Sequence, residues 1–130
     1  MSEVPDDTLD VALADGQSGK LNAAACVDVL FSSRVFVLLK DPPSDRGQFD
    51  PCVLFNAARN PVLAVFSSTQ RMDAWRKIDP SHQYSLLTEF SWLLRGVQPG
   101  LGVVVNPGSS VGLELTAERV ADLKRARGVP

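Results

Sequence analysis

The sequence predicts an α/β (α+β) chain in which five short strands alternate with helices. Two observations carry that expectation. Short apolar runs, rich in valine and leucine, are punctuated by proline, glycine and asparagine, as strands are. Between them lie longer stretches whose apolar residues recur every three or four positions, as on the buried side of a helix. The chain has 130 residues, 45% of them hydrophobic and 22% charged, which suits one domain over residues 1–130 with a core of its own.

Taken in order, Asp6 and Asp7 precede Thr8 and Leu9 and can start a first helix. Leu9 and Leu13 lie one turn apart and Gly16 ends it, so residues 1–17 read as an N-terminal helical arm. A second helix, from Leu21 to Phe31, places Ala23, Val27, Leu30 and Phe31 toward a core. Val35 to Leu39 reads as a buried strand. Lys40 to Pro51, KDPPSDRGQFDP, combines prolines, a glycine and charges and reads as a long exposed loop over residues 40–51. Cys52 to Asn56 and Val62 to Phe66 are spaced as an antiparallel hairpin, with Pro61 at the start of the second strand, where its missing N–H is tolerated.

Ser67 followed by Gln70 matches a capping box, which predicts a helix to about Lys77 with Met72, Trp75 and Ile78 along its buried side. Asp79-Pro80 interrupts, and His82 and Tyr84 fall in a connector. A helix is predicted from Ser85 to Arg95, because Leu86, Leu87, Phe90, Leu93, Leu94 and Val97 share one helical face. Gly102 to Val105 is a strand, Asn106-Pro107-Gly108 a turn, and Leu113 and Leu115 flank Glu114 as a brief half-buried strand. Thr116 caps a last helix to about Arg127, with Glu118 in its first turn and Lys124, Arg125 and Arg127 in its last, signs that complement the helix dipole.

Several function classes are disfavoured. A net charge of -2 and a pI near 5.3 give no general attraction to phosphate backbones, so no nucleic-acid partner is expected. The acidic start MSEVPDDTLD is unlike a signal peptide, and no apolar run nears the roughly 20 residues that span a bilayer, so no membrane partner is expected. Cys26 and Cys52 lack metal-ligand spacing and read as free buried thiols of a reducing compartment, which predicts a cytoplasmic protein. No HExxH, GxSxG, CxxC, Walker or dinucleotide fingerprint is present, His82 is a lone histidine, and Asp41, Asp45 and Asp50 read as solvated turn residues. No catalytic residue, metal or cofactor is therefore expected, and the chain is not read as an enzyme.

Two sets of candidate binding residues remain. Trp92 stands nearly opposite the apolar stripe of its predicted helix, beside Thr88 and Glu89. Either another element covers it or it anchors a protein interface, where tryptophan is enriched. With Arg46 and Phe49 of the proline-rich loop it forms the candidate surface for a partner protein. The second set is Asn106, Gly108, Ser109, Ser110 and Gly112. This loop either presents backbone N–H groups to an anion or small molecule, or is a tight turn that packs Leu113 and Leu115 inward.

The segment PVLAVFSSTQRMDAW, followed after a gap by PGLGVVVNPGSSVGLELT and a closing helix, resembles the N-terminal domain of the SseB family. The matching positions are Phe66, Ser67, Trp75, Asn106, Pro107, Gly108, Ser109, Gly112, Leu113, Glu114 and Leu115, and the resemblance runs from about Leu9 to Leu123. It implies a mixed five-stranded sheet flanked by helices. The family name carries a serine-sensitivity phenotype and a type III secretion label, neither of which specifies a chemistry. The expected function is a non-catalytic bacterial protein-interaction module, secretion-associated, regulatory or toxin-neutralising. The alternative is small-molecule or anion binding at the Asn106 to Gly112 loop.

Overall fold

A computed structural model describes residues 8–41 and 51–129. Arg46, Phe49 and most of the predicted proline-rich loop lie outside the described residues, as do Asp6 and Asp7.

The apolar runs pair into one mixed sheet. Its central strand is β3 (Pro61–Phe66), which runs parallel to β5 (Gly102–Val105) on one side. On its other side β3 meets two antiparallel partners. β1 (Arg34–Leu39) aligns Phe36 and Val37 with Phe66 and Val65, while β2 (Val53–Phe55) lies against the first half of β3, from Pro61 to Leu63. Where β1 ends, Leu39 bridges Pro51, and the Cys52 N–H donates to the Leu38 carbonyl at 2.9 Å. β6 (Leu113–Leu115) adds antiparallel to β5. The expected hairpin forms, and its loop is organised by Asn56, whose Oδ1 accepts the N–H groups of Ala58 and Asn60.

Among the described residues the sheet has six strands rather than five. The addition is β4 (Tyr84–Glu89), in the place where helical spacing predicted a helix from Ser85 to Arg95; only α4 (Phe90–Arg95) is helical there. The cause is tertiary. β1 is buried along most of its length, and β4 supplies the hydrogen bonds of its second side, in continuous register from Arg34 opposite Glu89 to Leu39 opposite Tyr84.

Alternation along the strands divides the core. Val35, Val37 and Leu39 of β1, Leu63 and Val65 of β3, and Val103 and Val105 of β5 face one way. There they meet α1 (Thr8–Gln17), α2 (Ala23–Phe31), α4 and α5 (Ala117–Arg127), which contribute Leu9, Leu30, Phe90, Leu94 and Val120. Leu38, Ala64 and Phe66 face the other way, onto a smaller core with Cys52 and with Met72 of α3 (Thr69–Ile78). α1, expected as an arm, buries Leu9 and Leu13 in the larger core. Each fully buried Leu, Val or Phe contributes about 1.5–3 kcal/mol relative to exposure.

Caps fix the helix starts. Asn22 Oδ1 accepts from Ala25 N at 2.8 Å, and Thr116 Oγ1 accepts from Arg119 N at 3.3 Å. At α3 the cap is Ser68, one residue later than the capping-box spacing predicts. Ser67 is unavailable for the role because both its N–H and its hydroxyl are engaged by Asn106. Met72 is buried and Trp75 half-buried as expected, but Ile78, six residues on from Met72 and so about 240° around the helix from it, is 68% exposed.

Candidate functional site

Parallel strands that end side by side leave a crevice at their carboxyl ends, where open α/β sheets commonly bind ligands. Here β3 runs out into Ser67, Ser68 and α3, and β5 into the Asn106 to Gly112 loop. Asn106 joins the two. It is 2% exposed and has a φ of 55°, a left-handed conformation that asparagine adopts more readily than most residues. Its N–H continues the ladder to the Val65 carbonyl at 2.8 Å. Its Oδ1 accepts from the Ser67 N–H, and its Nδ2 donates to Ser67 Oγ and to the Val111 carbonyl, each at 2.9 Å. Both amide protons and the amide oxygen are thus committed inside the protein.

The network extends outward through residues whose part was not visible in the sequence. Ser67 Oγ donates to Asp10 of α1, which also lies 3.9 Å from Arg71 Nε. Arg71 Nη1 donates to Ser109 Oγ at 3.2 Å, and Ser109 Oγ accepts from the Val111 N–H at 3.1 Å. Asp10 and Ser67 are 57 residues apart in the chain, so no local spacing could have paired them. Three elements, α1, the start of α3 and the β5–β6 loop, are pinned at one point.

The glycines of the loop are there for close approach. Gly108 has a φ of 80°, and a Cβ on it would stand 3.3 Å from the Trp75 ring. At Gly112 a Cβ would come within 2.7 Å of the Val105 carbonyl oxygen. Beside this packed loop a groove of about 380 Å³ opens between α3 and residues 106–109, with Gln70, Arg71, Trp75 and Ile78 on one wall and Pro107 and Gly108 on the other.

Beneath the groove, burial and the negative charge of Asp79 push the Cys52 thiol up to about 11, with a bond from Trp75 acting weakly the other way. Asp79 itself is held below the usual carboxylate range by the hydroxyl and N–H of Ser81. Cys52 is therefore a protonated, unreactive thiol at neutral pH. Because its folded pKa is raised, its contribution to stability is complete below the ordinary thiol pKa and is lost as pH rises toward about 11. Urea midpoints measured up to that pH should fall more steeply for the native chain than for Cys52→Ala; equal slopes would contradict the assignment.

Trp92 is elsewhere. It lies on α4, across the sheet from α3, 47% exposed, and lines clefts other than the groove beside the Asn106 loop. It stands between two clefts. One, of about 340 Å³, is lined by Glu89, Ser91, Arg95 and Val129; the other, of about 370 Å³, by Pro51, Leu63, Leu93, Val97 and Leu101, and again by Arg95. The 100° step that set Trp92 off the apolar stripe holds in α4, whose Phe90, Leu93 and Leu94 are buried on the opposite side. Among the described residues, Trp92 and the Asn106 loop are not brought together; Arg46 and Phe49 lie outside those residues.

Compared with known protein families, residues 9–122 match the SseB protein N-terminal domain. The chain belongs to that family. The match covers most of the SseB domain described above, from α1 through most of α5, and includes both Asn106 and Trp92. No curated protein and no solved structure matches the chain. Among the described residues of this SseB domain, no three His, Cys, Asp or Glu side chains are grouped to hold a metal ion, and no helix is long and apolar enough to cross a membrane.

Proposed function

We propose that this SseB domain is a non-catalytic protein-binding module of the bacterial cytoplasm and that Trp92 anchors its partner. The observation that carries the reading is the place of Trp92, half exposed between a mainly apolar cleft and one that bears Glu89, with Arg95 lining both. A tryptophan there offers a large rigid surface at low entropic cost, and such residues dominate many interfaces. The fitting partner is a protein that inserts an apolar side chain beside Leu101 and sets a polar or charged group against Arg95. Secretion-associated, regulatory and toxin-neutralising roles all operate through contacts of this kind.

Trp92→Ala is expected to weaken that contact by at least about 2 kcal/mol, roughly 30-fold in affinity, without changing the fold. The check is capture from native lysate followed by titration of the captured protein against purified variants, with Ile78→Ser as an exposed apolar control on α3. Equal binding by wild type and Trp92→Ala would refute the reading, as would equal loss in both variants. Small-molecule or anion binding at Asn106 to Gly112 is the second reading. It ranks behind because the side-chain amide of Asn106 is already committed to Ser67 and Val111, although the groove beside Trp75 is open.

A further inference from the structure

β4 closes one end of the sheet, and among the described residues no strand lies beyond it. The direction of its backbone groups follows from one bond. The Phe90 N–H donates to the Ser33 carbonyl at 3.0 Å, which continues the register in which Arg34 faces Glu89. Antiparallel ladders alternate, so Tyr84, Leu86 and Thr88 also turn their N–H and C=O toward β1. Ser85 and Leu87 turn theirs outward, away from the sheet, as Glu89 does its N–H; the Glu89 C=O, at the N-cap of α4, accepts the first bond of that helix.

Sheet edges are usually blunted by proline, lysine, a bulge or brevity. β6, at the other end, has only three residues. β4 has six, YSLLTE, with no proline or lysine and no bulge in its register with β1, and it carries Tyr84 and Leu87 at 48% and 43% exposure.

We propose that this edge pairs with the same edge of a second copy of the chain, antiparallel about Leu87, so that two sheets become one. The edge is its own complement. With the two-fold axis at Leu87, every outward residue meets an outward residue: Leu87 meets Leu87 of the second copy, and Ser85 meets Glu89 in both directions. About four backbone hydrogen bonds close, two between the Leu87 residues and one from each Glu89 N–H to the Ser85 carbonyl of the other copy. The serine hydroxyl faces the carboxylate, Leu86 faces Thr88, and the one charge of the strand, Glu89, never meets its own copy. A net charge of only -2 adds little repulsion between the copies. The inference does not rest on the Trp92 reading, which concerns a different protein and centres on α4, although Glu89 borders both surfaces.

Sedimentation of the full chain from micromolar to millimolar concentration tests it. The wild type should reach twice its 14.0 kDa mass, and the Leu87 amide should exchange more slowly with solvent as concentration rises. Leu87→Pro removes an outward N–H and takes no bond from β1, and Leu87→Lys sets two like charges face to face at the axis. Both variants should halve the mass and abolish the concentration dependence of exchange, with an unchanged circular dichroism spectrum. If the proline variant unfolds, the lysine variant carries the test. A wild type that stays at 14.0 kDa throughout overturns the proposal, and so does a dimer that survives the substitutions.

Discussion

Asn106→Ala should destabilise the domain by about 3–4 kcal/mol, a large share of the roughly 5–15 kcal/mol that holds a domain of this kind together. Truncation strands the Ser67 N–H and the Val111 carbonyl, both of which Asn106 satisfies at 2.9 Å. It also leaves alanine at a φ of 55°, a conformation that costs it about 1 kcal/mol or more. Asn106→Gly separates the two causes, since glycine accepts the backbone but makes none of the bonds. Urea denaturation should rank wild type above the glycine variant and the glycine variant above alanine. An alanine variant within about 1 kcal/mol of wild type would show that the network contributes little.

Phe90→Ala should cost about 3–5 kcal/mol, the usual range for emptying a fully buried aromatic site. Phe90 is where strand becomes helix, and it fills the larger core from the first turn of α4. The informative comparison is Leu87→Ala, measured in dilute protein. On a continuous helix from Ser85 to Arg95, Leu87 would share the buried stripe with Phe90 and cost a similar amount. On strand β4 it is 43% exposed and should cost less than about 1 kcal/mol. Comparable losses for the two variants would contradict the strand.

That comparison marks the limit of what the sequence can express. Strands framed by turn residues, such as Pro61–Phe66 and Gly102–Val105, are readable because proline and glycine bound them. Tyr84–Glu89 is not, because adjacent Leu86 and Leu87 fit a helical stripe as well as two faces of a strand. What decides is the need of β1 for a second hydrogen-bonded neighbour, a fact about a segment some fifty residues away in the chain. The candidate loop divides in the same way. Its turn was legible from Asn106, Pro107 and Gly108, while Asp10 and Arg71 carry no local mark of the network they join. The cap at Ser68 rather than Ser67 follows from that same distant contact.

The bridge from Leu39 to Pro51 has a consequence for how this domain can be altered. Leu39 and Pro51 are held side by side by the sheet itself, so the two ends of the segment between them are fixed close together. Lengthening such a segment costs only about 0.6 kcal/mol per doubling. A sequence grafted between β1 and β2 would therefore hang from a closed clasp, and its length could change while the pairing of β3 with both strands is kept.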